Sequence, residues 1–139
     1  MVEDLDRFTS AQASVYDQAL AELHHGRKSS HWMWFVFPQI AGLGQSDTAR
    51  FYAIRDAAEA RAYLEHPLLG PRLYEATAAV TSATGSAGAI LGGIDAIKLR
   101  SSMTLFAAVA DDPAPFVAAL DRFFGGMRDP ATLALLDRG

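Results

Sequence analysis

The chain has 139 residues, half of them hydrophobic, which suits one domain around one core and argues against disorder over most of its length. A formal net charge of −4 and a pI near 5.4 lack the basic field that general nucleic-acid binding needs. With no cysteine, the chain has no disulfide, thiolate metal site or thiol nucleophile.

The stretch Met1 to Arg7 is acidic and polar, without the apolar run of a signal peptide. The longest large-apolar run, Trp32 to Phe37, falls far short of the ~20 residues that span a bilayer. The expectation is a soluble cytoplasmic protein that engages no membrane.

The first predicted helix starts between Asp4 and Thr9 and stops at Gly26. Phe8, Ala11, Val15, Ala19, Leu20 and Leu23 form one apolar stripe along it. His24, His25, Arg27 and Lys28 gather at its C-terminal end, where positive charge suits the helix dipole. Ser30 to Gln39 reads SHWMWFVFPQ and is apolar on every side, so periodicity does not separate helix from strand. Its aromatic and β-branched content leans towards strand, but no strand partner is visible, and a short buried helix is the expectation. Pro38, Gly42 and Gly44 then impose a loop.

Asp47 is expected to cap a short helix with Phe51, Tyr52 and Ile54. Asp56 with Glu59 opens the next, through Tyr63 and Leu64. Pro67 ends that helix and starts one with Leu69, Leu73, Ala76 and Val80 on its inner face. After a small-residue loop at Thr84 to Gly88, Ala89 to Leu91 form one turn before Gly92 and Gly93. A longer helix runs from about Ile94 to Ala110. Leu99, Met103 and Phe106 share one of its faces, and Leu105 and Val109 another, which places it centrally. Asp112 and Pro113 begin a helix carrying Phe116, Val117, Leu120 and Phe123 that closes at Gly125 and Gly126. Asp129 and Pro130 begin the last, with Leu133, Leu135 and Leu136. The fold expected is a single all-α domain over residues 1–139, with about six to eight helices and no sheet.

The familiar phosphate-loop, dinucleotide, zinc-protease and serine-hydrolase motifs are absent. His24 and His25 are adjacent and point about 100° apart on a helix, so no metal site is expected there or elsewhere. Nor does the sequence name a cofactor. Two segments carry polar groups inside apolar surroundings. SHWMWFVFPQ holds both tryptophans, which are either a dense core plug or an aromatic wall for a planar ligand. His31 and Gln39 are its polar handles, Trp32 part of the wall, and His31 a candidate acid or base. KLRSSMTLF, from Lys98 to Phe106, sets Lys98, Arg100, Ser101 and Thr104 in a helix. They form either an anion-accepting patch, or small side chains that permit close packing beside long ones that reach water.

SHWMWFVFPQIAGLG, LEHPLLGPRL, KLRSSMTLF and RFFGG together resemble a bacterial family catalogued as domain of unknown function 1810, from about Asp4 to Leu136. The resemblance implies an all-helical fold and no established molecular function or catalytic residue. Some members carry the label calpastatin. That inhibitor is disordered and repetitive, whereas this chain is apolar-rich and repeat-free. Three readings stay open. The first is a binder of, or enzyme acting on, a small anionic or nucleotide-like ligand. In it His31, Trp32 and Gln39 meet Lys98, Arg100 and Ser101 in one pocket. The second is a helical interaction module or homodimer with exposed aromatic anchors. The third is an accessory protein whose motifs only pack.

Overall fold

A computed structural model describes residues 5–138, and among them the chain forms helices joined by loops, with no strand. The helices are α1 (Asp6–Gln12), α2 (Tyr16–His24), α3 (Met33–Val36), α4 (Asp47–Phe51) and α5 (Ala57–Glu65). They continue with α6 (Leu69–Ser82), α7 (Ala87–Leu91), α8 (Gly93–Val109), α9 (Ala114–Phe124) and α10 (Pro130–Arg138). These ten exceed the expected count because the first predicted helix is two, and because α3, α4 and α7 are little more than single turns.

The break between α1 and α2 falls at residues 13–15. Gln12 just before it is buried and bonded on both sides of its amide. Its Nε2 donates to the Phe35 carbonyl (2.7 Å) and the Tyr63 hydroxyl (3.1 Å), and its Oε1 accepts from Arg72 (3.3 Å). The apolar stripe resumes at Tyr16, Ala19 and Leu23, all buried, so the break leaves the inner face intact.

Helix α8 is the centre. It packs on α5, α7, α9 and α10, and every residue from Ser101 to Ala107 is buried. This C-terminal half, apolar all round, is enclosed, while the first turns of α8 keep one side in water. A chain of rings runs through the core beside it. Phe8 meets Tyr63 (5.1 Å between centroids), Tyr63 meets Phe106 (5.5 Å), Phe106 meets Phe116 (5.9 Å), and Phe116 meets Tyr74 (4.9 Å).

Several ends are set by local chemistry. Asp56 caps α5 by accepting from the Glu59 N–H (2.9 Å), as its spacing predicts, but Glu59 reaches back one residue further, to the Arg55 N–H (2.9 Å). Helix α4 is capped by Ser46, not Asp47: Ser46 Oγ accepts from the Ala49 N–H (3.1 Å), and Asp47 takes the first helical position. Gly92 joins α7 to α8 with φ +91° and ψ 156°, a backbone region open to glycine almost alone.

The SHWMWFVFPQ segment is helical only at Met33–Val36, one turn. Beyond it the chain is extended, and Ile40 forms an isolated parallel bridge with Ile54. The Ala41 N–H donates to the Ile54 carbonyl (2.7 Å) and the Ile54 N–H to the Gln39 carbonyl (2.8 Å). Trp32, Met33, Val36 and Phe37 are buried, while Trp34 is partly exposed at the protein surface. No helix among the described residues is long and apolar enough to cross a membrane.

Candidate functional site

The segment after α2 runs across the N-terminal end of α8. The Lys28 N–H donates to the Ile90 carbonyl at the end of α7 (2.7 Å), which fixes its backbone there. Its ammonium lies 2.9 Å from Asp95 Oδ2, with both side chains largely buried. Asp95 sits in the first turn of α8, where a carboxylate suits the helix dipole. Its other oxygen is 3.6 Å from Lys98 Nζ, one turn on, and Lys98 Nζ stands 4.5 Å from the centroid of the Trp34 ring. Each of these two Lys98 contacts is worth about 1 kcal/mol or less at a partly exposed position, so Lys98 is held weakly.

Two ammonium groups and one carboxylate thus form a small ion cluster. It borders a cleft of about 350 Å³ lined by Lys28, His31, Trp34, Gly92, Ile94 and Asp95. A second hollow of about 300 Å³, mostly apolar, is lined by residues that include Gln39, Ile94, Ile97, Lys98, Ser101 and Asp129. Ile94 borders both, and the Lys98–Trp34 contact lies between them. Each volume is near the lower end of the ~300–1,000 Å³ usual for small-molecule sites.

The cleft wall is anchored from behind by Glu22 of α2, which is 5% exposed. It accepts from the Ser29 N–H (2.7 Å), the Ser30 N–H (3.0 Å), the Ser30 hydroxyl, Gln18 Nε2 (2.9 Å) and Trp32 Nε1 (2.9 Å). Burial alone would raise the pKa of this carboxyl. The donors outweigh it and hold the group far below the usual carboxylate range. A fully bonded carboxylate of this kind fixes residues 29–32 and so aims His31 and Trp34.

A family model described as Protein of unknown function (DUF1810) matches residues 2–136. The chain belongs to that family. The crystal structure of the conserved hypothetical protein Rv1873 from Mycobacterium tuberculosis is similar to it. The two are 52% identical, the alignment covers 96% of each chain, and the TM-score is 0.94. No curated protein matches the chain. Family membership therefore supports the all-helical architecture and assigns no chemistry, and the candidate residues have to be read from their surroundings.

Those residues divide into four sets. His31 is exposed at the first cleft and has no hydrogen-bond partner among the described residues. Gln39, Lys98 and Ser101 border the second hollow. Trp32, expected in an aromatic wall, is fully buried, with Phe37 at 6.2 Å and its N–H on Glu22. It shapes the wall from inside, and Trp34 is the indole that borders the cleft.

Arg100 and Thr104 turn the other way, to the link between α9 and α10. Arg100 donates from Nε to the Met127 carbonyl (2.8 Å) and from Nη2 to the Arg128 carbonyl (2.7 Å), and it lines neither hollow. Thr104 Oγ1 donates to the Arg100 carbonyl (2.8 Å) and accepts from the Asp129 N–H (2.9 Å). The Ser101 hydroxyl lies 3.0 Å from Asp129 Oδ2, and the Thr132 N–H donates to that same oxygen (3.2 Å) to cap α10. Burial pushes the Asp129 pKa up, but donors from Thr132 and Ser101 prevail and lower it. The planar fork that suits a phosphate suits two successive carbonyls equally well. Sequence reasoning passed over Lys28, Asp95 and Glu22 as site components. Lys28 was visible as part of a basic helix end and, with Arg27, as a local basic patch, and Glu22 and Asp95 have no local signal, because each finds its partners through folding. Among the described residues no group of three or more histidines and carboxylates is placed to hold a metal ion.

Proposed function

We propose that this protein binds a small anionic, nucleotide-like ligand in the groove between residues 28–44 and the first turns of α8. The observation that carries the reading is the loosely held ammonium of Lys98, 3.6 Å from Asp95 and over the partly exposed indole of Trp34, while Lys28 holds the other Asp95 oxygen. Charge selects the anion, the indole offers a face to a planar ring, and the apolar hollow beyond Ile94 accepts the remainder. The reading is one of binding. His31 is the one imidazole at the cleft, and an acid or base in catalysis is ordinarily oriented by a second group, which His31 lacks among the described residues. A thermal-shift series with nucleotides, sugar phosphates and inorganic phosphate tests it. Ligands that bind the native state raise the melting temperature, and the rise should shrink at high salt and vanish in the double variant Lys28→Met/Lys98→Met. An unchanged melting temperature across all anions would remove the reading.

A second reading has its own observation. Ile94 and Ile97 are 74% and 69% exposed on one side of α8, beside the apolar hollow, which favours a second copy of this chain packed there. Sedimentation of the wild type and of Ile97→Glu decides it: a dimer that the substitution dissolves supports the reading, and a wild-type monomer at high concentration ends it.

A further inference from the structure

We infer that the ligand is a nucleoside monophosphate whose ring takes the place of the Lys98 ammonium on Trp34, while Lys98 swings to the ligand's phosphate. The inference rests on the anionic-ligand reading above and adds to it an exchange of partners. Lys98 is the movable member of the cluster. Its ammonium is 3.6 Å from Asp95 Oδ1, outside the usual 2.7–3.2 Å of a hydrogen bond, whereas Lys28 holds the other Asp95 oxygen at 2.9 Å and is tied through its own backbone to Ile90. When Lys98 leaves, Asp95 keeps a partner.

What Lys98 covers is equally specific. Its Nζ stands over the ring of Trp34 at 4.5 Å, so a planar ring stacking on that face has to displace it. A ring without charge would drive the ammonium off the indole and give it nothing in return. A phosphate without a ring would draw the ammonium away and leave the indole bare. A ligand with both completes the exchange in one step: base on indole, phosphate on ammonium. One displaced ammonium answers one phosphate group, so a ring with a single phosphate is the smallest ligand that completes the exchange.

The test is isothermal titration of adenosine 5′-monophosphate, adenosine and inorganic phosphate into the wild type, Lys98→Met and Trp34→Leu, each checked for folding by circular dichroism. The wild type should bind the monophosphate best. In Lys98→Met the monophosphate should weaken about tenfold, as one charge-assisted contact is lost. Adenosine should tighten in the same variant, because no cation has to leave the indole. Trp34→Leu should weaken the monophosphate by about tenfold, the scale of one lost stack, and leave inorganic phosphate unchanged. If Lys98→Met does not fold, Lys98→Gln makes the same comparison. Monophosphate binding with Lys98→Met weakening both nucleoside and nucleotide equally, or neither, overturns the exchange and spares the groove. Phosphate binding without monophosphate preference overturns the ligand class and spares the anionic reading. No binding of any anion to the wild type overturns both.

Discussion

Helix α8 carries two polar regions, and they have opposite fates. On one side Arg100, Ser101 and Thr104 meet Met127, Arg128 and Asp129, and their donors and acceptors are matched against the link before α10. On the other side Lys98 and Asp95 meet Lys28 and Trp34, and the Lys98 ammonium is held only by a 3.6 Å contact and an indole face. The difference teaches that polar residues in an apolar helix become candidates for recognition only after the demands of neighbouring backbone are subtracted. Arg100 has two carbonyls to satisfy, and Lys98 has none.

The comparison breaks most visibly at its supports. Trp32→Ala should destabilise by about 3–5 kcal/mol, the scale for emptying a buried aromatic site, while Trp34→Ala should cost well under half as much. Equal losses in chemical denaturation would mean that Trp34 is core and that the cleft has no indole wall. Glu22→Ala should cost about 3 kcal/mol, since it strands the Trp32 and Ser30 donors in a buried place. The same carboxyl sets a pH dependence. Its folded pKa lies below the ordinary value of 4.5, so its contribution is complete above that pH and fades as pH falls further. Urea titrations from pH 7 to pH 3 should show wild-type stability declining below about 4.5, and Glu22→Gln should flatten that decline. On the satisfied side, Asp129→Ala removes the α10 cap and the Ser101 contact and should cost about 1–2 kcal/mol. Arg100→Ala should cost about 1 kcal/mol and leave anion binding unchanged. A loss of binding in Arg100→Ala would join the two regions into one site. The smallest effect belongs to Lys98→Met, within about 1 kcal/mol in stability, although that change should weaken the anion about tenfold.

Much of the fold was legible because amphipathic stripes and caps are local. Asp56, Asp129 and Gly125 act where their spacing puts them, and α8 is as central as its all-round apolarity requires. The break at residues 13–15 was hidden, since the stripe continues across it in phase. The true form of SHWMWFVFPQ was hidden for a different reason. A segment buried on all sides has no period, and its extended end is set by Ile54, a partner that lies across a loop. The site divides similarly. His31, Gln39 and Lys98 stood out as polar groups in apolar runs, and all three border the groove. Which tryptophan faces outward could not be told from neighbouring residues of equal apolarity. Arg100 was attractive for its donor fork, yet nothing in the sequence revealed two carbonyls waiting at Met127 and Arg128.

The Lys28–Asp95 contact has a consequence for how the molecule assembles. It joins chain positions on opposite sides of α5 and α6, so it closes a long loop, and the entropy of that closure is met only when the intervening helices are already packed. The groove should therefore belong to the last events of folding, and substitutions at Lys28 should speed unfolding rather than slow folding. A nascent or partly folded chain would then have its ring-lined core before it has any cleft, and whatever binds there meets only finished molecules.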